Sequence, residues 1–352
     1  MITVHSISCF FDFRLNRGVI NMVTSRDVAK LANVSVSTVS RAFRDDVYIS
    51  EEKKKRVFEA SEQLGYTLNF AARSLKSSKS KTIGLMISDI DNAFYTYIAR
   101  IVEREIKSSG YRLLITYSNE DPAQELETLQ LLASSRVDGI IFTPTSTKNR
   151  KFISQFQKQN TAFVQTYRHH YDNLDSVTVD DYKGAYIATK YFVSHGHTNI
   201  MMTEQFPQSF KIDGYKQALH EAELPNGHIL CLPFQPDLKS VIHQAIVDHK
   251  PTAILSANNI VTLNILKVCK GLKLTIPDDL SIITFDDNDW VSLLGITAIA
   301  QPMEEIGQSI ARILLSRLRE EEVTSPPMNS RLEPILIARN SIRNLFAQRN
   351  YN

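Results

Sequence analysis

Asp27-Val28-Ala29-Lys30-Leu31-Ala32-Asn33-Val34-Ser35-Val36-Ser37-Thr38-Val39-Ser40-Arg41 is the stretch that decides how the amino-terminal part of this chain folds. Val28, Leu31 and Ala32 recur at the spacing of one helical face and Ser25 is a candidate N-cap, so a helix of about two turns is expected. Asn33 tolerates left-handed backbone, Val34 is an apolar plug, and Ser35 offers a second N-cap. Helical spacing then resumes through Val39, Ala42 and Phe43, giving two helices across a tight turn. The second helix carries small hydroxyl side chains and ends on Arg41 and Arg44. Short side chains permit close approach and Arg can bond guanine or phosphate, which suits a DNA major groove. The same spacing also occurs in ordinary helical hairpins. A third helix should open at Ser50, with Glu51 and Glu52 in its first turn, run through Val57, Ala60 and Leu64, and stop at Gly65.

Charge is distributed in a way that fits a polyanion at this end only. The whole chain of 352 residues carries a net charge of +2, but residues 22–81 alone hold 12 Lys and Arg against 7 Asp and Glu. That segment is therefore +5 and the remainder −3. A hydrophobic content of 43% with 22% charged residues describes a globular protein, and the length calls for two or three compact units. Cys9, Cys231 and Cys269 are odd in number and widely spaced, which fits a reducing cytoplasm better than a disulfide framework. No apolar run reaches membrane-spanning length and no signal-peptide pattern opens the chain, so no membrane partner is expected. Residues 1–21 match no later pattern and are read as an extension outside the fold.

The residues themselves sharpen the reading. The stretch from Asp27 to Arg41 closely resembles the amino-terminal signature of the lactose/galactose/purine repressor (LacI/GalR) family of bacterial transcriptional regulators. The resemblance continues through Ser50-Glu51-Glu52, Leu64-Gly65-Tyr66, Asn69 and Ala72-Arg73-Ser74-Leu75-Lys76, and the layout follows the family to about residue 343. It implies that Val36, Ser37 and Arg41 face base edges while Ser35, Thr38 and Tyr66 contact phosphates. It also implies that residues 69–76 form a hinge helix, with Asn69 and Arg73 on it and Leu75 wedged into a central base step beside Lys76. An exposed Leu between Arg73 and Lys76 has the chemistry of a wedge flanked by phosphate clamps. This chain departs from the family at Leu68, where Pro is usual. Without a fixed φ the free hinge should be looser.

Beyond the polar linker Ser77–Lys81, short apolar runs alternate with helical stretches. The runs are Thr82–Ile87, Arg112–Thr116, Gly139–Phe142, Thr161–Gln165, Asn199–Thr203, His228–Leu232, Thr252–Ser256, Leu280–Phe285 and Ile296–Ala300. Such alternation predicts parallel sheets with helical crossovers. The expected architecture is an N-terminal three-helix helix-turn-helix DNA-binding domain with a hinge helix, then a two-lobe α/β core of two parallel sheets resembling the periplasmic sugar-binding proteins. Chain crossings are expected near residues 182, 301 and 328. The corresponding domains are 22–67 for the head, 68–81 for the hinge and linker, and 82–343 for effector binding and dimerisation, with 344–352 as a tail. Within the core, 82–182 and 302–327 make one lobe, 183–300 and 328–343 the other.

Ligands of open parallel sheets sit at the carboxyl ends of the strands. The candidates there are Asp89, Asn92, Phe94, Tyr95, Tyr167, Arg168 and Gln205, and in the second lobe Lys211, Phe234, Asn258, Asp286 and Trp290. Aromatic faces with a few polar groups suit a sugar or base ring. Phe94, Tyr95, Phe234 and Asp286 match effector positions that the resemblance implies. Lys211 stands where the family commonly has Arg, and Asn258-Asn259 where Asn-Asp is common. With Arg168 and Lys211 as cations and Asn259 replacing an acid, an anionic effector such as a sugar acid or sugar phosphate is expected.

His169-His170 and His195-Gly196-His197 lack the spacing of a metal site, and no dinucleotide, phosphate-loop or nucleophile-elbow motif occurs. No cofactor and no catalysis are expected. The partners expected are double-stranded operator DNA of near-palindromic sequence, a small sugar-like effector and a second copy of the chain in a homodimer. A solute-binding protein would share the core but would need a signal peptide and have no use for residues 24–66. An enzyme on this scaffold would need a phosphate loop or nucleophile.

Overall fold

A computed structural model describes residues 23–43, 48–66, 79–158, 161–235, 237–319 and 325–346. The chain divides into two compact units, one ending at Ser78 and the other beginning at Lys79.

Among the described residues, the first unit holds three helices, α1 (Ser25–Leu31), α2 (Val36–Ala42) and α3 (Glu51–Leu64). Their small core is Val28, Ala29, Ala32, Val39, Ala42, Val57 and Ala60. Small side chains dominate it, so three short helices can pack closely. Leu31, expected on the buried face, is exposed instead; Ala29 takes the inward position. The N-cap of α1 is Thr24 rather than Ser25, because the Asp27 carboxylate accepts from both Thr24 N (2.9 Å) and Thr24 Oγ1 (2.7 Å). Asn33 has φ of 50° in the turn, Ser35 Oγ accepts from Thr38 N at 3.1 Å to cap α2, and Gly65 ends α3 with φ of 62°. Arg56 on α3 donates to the carbonyls of Ala32 and Asn33, at 3.1 Å from Nε and 2.8 Å from Nη2 respectively. Those bonds fasten the turn between α1 and α2 to α3.

Among the described residues, the core unit contains two six-stranded sheets. In the first, the order is β11-β5-β4-β3-β1-β2, all pairs parallel, from β1 (Thr82–Ile87), β2 (Arg112–Tyr117), β3 (Gly139–Phe142), β4 (Ala162–Thr166), β5 (Asp175–Val179) and β11 (Asn329–Leu332). It is flanked by α4 (Ala93–Lys107), α5 (Pro122–Ser134), α6 (Arg150–Gln157) and α12 (Met303–Arg317). In the second, the order is β12-β10-β9-β8-β6-β7, from β6 (Ile200–Glu204), β7 (His228–Cys231), β8 (Ala253–Ser256), β9 (Ser281–Phe285), β10 (Thr297–Ala300) and β12 (Ile335–Ile337). Only β12 runs antiparallel there. Its helices are α7 (Asp181–Ser194), α8 (Phe210–Glu221), α9 (Lys239–His249), α10 (Asn259–Leu272) and α11 (Asp289–Leu293).

Central strands such as β1, β3 and β8 are continuous apolar runs because helices cover both faces of a parallel sheet. Gly214 lets α8 lie directly on α7, since a Cβ there would stand 2.1 Å from the Tyr182 carbonyl oxygen. The chain enters the core through Ser80 and Lys81, whose backbone N–H groups donate to the Asp138 carboxylate at 2.7 and 2.9 Å.

The chain changes lobe after β5, after β10, and between β11 and β12. The last crossing therefore falls at residues 333–334 and not near 328, which places residues 329–332 in the first sheet. Arg317 explains why the chain stays there. Buried at the end of α12, it donates to both oxygens of Asp175 on β5 (2.9 and 2.8 Å) and to the Pro326 carbonyl (2.6 Å), while Asp175 also accepts from Met328 N at 2.7 Å. Strands β5, β11 and β12 are absent from the apolar runs of the sequence because the first two, Asp-Ser-Val-Thr-Val and Asn-Ser-Arg-Leu, are mostly polar and the third has three residues.

Candidate functional site

Two places concentrate chemistry. On the head, Ser35, Val36, Ser37, Ser40 and Arg41 are exposed, and Thr38 is half-buried. Positions 36, 37, 40 and 41 share one face of α2, opposite the buried Val39 and Ala42. Ser35 Oγ lies 2.8 Å from both Ser37 Oγ and Thr38 Oγ1, so these hydroxyls are held in one cluster at the start of the helix. The ring of Tyr66 packs against the head core, 6.2 Å from Phe43. Asn69, Arg73, Leu75 and Lys76, with Leu68, Arg44 and residues 1–21, lie outside the described residues.

The second place is the cleft between the two sheets of the core. Phe94, Tyr95 and Tyr167 form one aromatic wall, with ring centroids 5.2, 5.5 and 6.0 Å apart. Lys211, only 3% exposed, reaches across from α8, donating to Tyr167 Oη and the Ala257 carbonyl at 3.2 Å each and lying 4.3 Å from the Phe285 ring centroid. Asn259 Nδ2 also spans the cleft, donating to Asn92 Oδ1 (2.9 Å) and Asp286 Oδ2 (3.1 Å), and Gln301 Nε2 donates to Asp286 Oδ1 (2.6 Å). Arg168 grips both oxygens of Glu120 at 2.6 and 2.7 Å and stacks 3.8 Å over Phe206 from the other lobe. Tyr167 and Asp286 occupy equivalent strand ends, after β4 and β9, and share a left-handed backbone with φ of 69°. Such backbone costs about 1–3 kcal/mol per residue and concentrates at functional sites. A cavity of about 390 Å³ opens beside these residues, with Phe94, Tyr97, Arg100, Asn259, Asp286 and Met303 in its wall.

Burial shapes the electrostatics. It pushes Asp181 up to about 6, despite the pull of Lys211. Asp286 is also raised by burial, again opposed by Lys211. Burial works against the Lys211 charge, but Tyr167, Asp181, Glu204 and Asp286 outweigh it and hold the ammonium well above its usual range.

Residues 24–69 match the family described as bacterial regulatory proteins, lacI family, and residues 189–342 match the periplasmic binding protein-like domain. The sucrose operon repressor of Pediococcus pentosaceus is 30% identical over 309 residues, covering 85% of this chain and 93% of that protein. The chain belongs to the LacI family. A second relative, the HTH-type transcriptional repressor PurR of Aliivibrio salmonicida, is 31% identical over 316 residues, covering 85% of this chain and 93% of its own length. Among solved structures, a LacI family transcriptional regulator from Enterococcus faecium with bound ribose superimposes with a TM-score of 0.67 at 25% identity, covering 75% of this chain and 99% of that one.

Within this LacI-family protein, Asn92, Phe94, Tyr95, Tyr167, Lys211 and Asp286 come together in the cleft, and Arg168 adjoins them. Asn258 caps α10 by accepting from Val261 N at 2.9 Å and donates to Gln205 Oε1 at 2.8 Å, so this pair braces the second lobe's strand ends. Two candidates stand apart. Trp290 packs against the second lobe's hydrophobic core, and Phe234 sits exposed after β7. The sequence reading missed Asp181, Glu204 and Gln301, and it missed Glu120 as the partner of Arg168. Asp181 follows β5, a strand too polar to register as an apolar run, and Glu204 is the last residue of β6, just past the run read there.

Proposed function

We propose that this chain is a transcriptional repressor that binds a near-palindromic double-stranded operator as a homodimer and whose grip on DNA is set by a sugar-like molecule in the cleft. The observation that carries the reading is the exposed face of Val36, Ser37, Ser40 and Arg41 on a helix fastened by its own core, joined in one chain to a cleft that bridges two lobes. Ser35, Thr38 and Tyr66 hold phosphates; Asn69, Arg73, Leu75 and Lys76 act at the centre of the site. The names of the relatives, two repressors and a regulator holding ribose, agree with this assignment.

A second copy of the chain accounts for the apolar surface left open on both lobes. Leu114, Ile115 and Tyr117 are exposed on the edge strand β2, and Leu293 at the end of α11 is 85% exposed with Leu294 beside it. Exposed apolar side chains grouped on an edge strand invite a partner. One recognition helix reads few base pairs, so two are needed to specify a site. Such a regulator works in the cytoplasm, on a carbohydrate-utilisation operon.

The effector is a hydroxyl-bearing ring that lies against Phe94, Tyr95 and Tyr167 and meets Asn92, Lys211, Asn259 and Asp286. The expected anionic effector is disfavoured: the Arg168 charge is already met by Glu120, and Lys211 stands among Asp181, Glu204 and Asp286. Selection from a randomised duplex pool tests the DNA half of the reading. Enrichment of two inverted half-sites supports it, and the absence of any enriched sequence refutes it.

A further inference from the structure

We infer that the effector is a neutral disaccharide whose second sugar unit lies between α4 and α11, against Tyr97; this rests on the cleft being the effector site. The cavity of about 390 Å³ shares Phe94, Asn259 and Asp286 with the cleft, but Tyr95, Tyr167 and Lys211 are not in its wall. A single ring held by Tyr167 and Lys211 therefore leaves this space unfilled. The rest of the wall comes from both lobes: Thr96, Tyr97 and Arg100 on α4 face Asp287, Asn288 and Asp289 around the start of α11. A volume of this size encloses a ligand and not merely a few waters.

The groups left open in that wall select the chemistry. Asp286 is taken by Asn259 and Gln301, and both oxygens of Asp287 accept from Arg339 at 2.9 and 2.8 Å. Arg100 lies with its guanidinium 4.6 Å from the Tyr97 ring centroid and has no carboxylate partner among the described residues. The exposed Asp289 has no cationic partner among them either. One open cation and one open anion give a charged ligand as much repulsion as attraction. A hydroxyl both donates and accepts, so a polyhydroxyl unit meets the two together without carrying charge. The apolar faces of Phe94, Tyr97 and Met303 suit the C–H face of a sugar ring. An aryl or alkyl group would cover those faces but leave Arg100 and Asp289 without partners. Because the wall belongs to both lobes, the second unit ties α4 to α11 and adds to the ligand's preference for one lobe arrangement.

Calorimetry on the full chain at pH 7 with cellobiose, lactose, maltose and sucrose, and with glucose, galactose and fructose, tests this. One disaccharide should bind at least tenfold tighter than either of its constituent hexoses. Tyr97 is 37% exposed, so Tyr97→Ala removes the platform without opening the core, and it should collapse that advantage. A hexose binding as tightly as every disaccharide that contains it overturns the second unit while leaving the effector cleft standing. An advantage that survives Tyr97→Ala overturns the placement between α4 and α11. Heat from none of the seven sugars overturns both the disaccharide and the cleft as the effector site.

Discussion

Arg41 stands on the exposed face of α2 with its guanidinium uncommitted to the head core, which lies on the far side at Val39 and Ala42. Replacing it by Ala should leave the melting temperature unchanged and weaken operator binding by about 1–3 kcal/mol, roughly 5- to 150-fold, with relaxed preference at one base position. Fluorescence anisotropy on matched duplexes reads both quantities. His197 serves the fold instead. It is buried, its Nδ1 lies 3.0 Å from Thr252 Oγ1 and its Nε2 lies 3.1 Å from the Arg343 carbonyl. Burial, with His195 and Arg343 nearby, pushes it down from 6.5 to about 4. The unfolded chain therefore binds the extra proton first. Its contribution to stability is whole above pH 6.5 and is lost as the pH falls from there through 4. Melting temperatures measured between pH 7.5 and 4.5 should decline, and His197→Gln should decline less steeply.

At the scale of elements, the helix-turn-helix depends on a residue that no motif singled out. Arg56 joins α3 to the turn between α1 and α2, so Arg56→Ala should cost the head about 1–2 kcal/mol in chemical denaturation and weaken operator binding indirectly. The three helices were legible because caps and left-handed turns have local causes: Asn33, Ser35 and Gly65 each act within a few residues. Strands were legible where helices cover both faces, as at β1, β3 and β9, since burial on two sides leaves an unbroken apolar run. Strand β5 escaped because its first residue, Asp175, is held by Arg317 from 142 positions away. Long-range pairing leaves no mark in a short window. The cleft followed the same rule. Phe94, Tyr95, Tyr167 and Asp286 were visible at strand ends, whereas the match of Arg168 with Glu120 joins the ends of two different strands and erases a charge that the sequence left open.

The proposed function makes two requirements of the whole molecule, a face that reads DNA and a cleft whose walls belong to different lobes. Lys211 to Tyr167, Asn259 to Asn92 and Phe206 to Arg168 each bridge those walls, so a ligand that replaces any of these contacts changes the energy of the lobe arrangement directly. Linkage then requires that DNA affinity and ligand affinity shift by the same factor. Lys211→Met keeps the length of the side chain but removes the bridge and the charge. It should reduce effector binding at least tenfold by calorimetry while operator affinity without ligand stays measurable. The most direct test of the account is an anisotropy titration of the full chain on its selected palindromic duplex, with and without the sugar that binds best. The account predicts saturable binding as two chains per duplex and a change of at least tenfold in affinity when the sugar is added. Binding that is indifferent to duplex sequence, or specific binding that no cleft ligand alters, would contradict it.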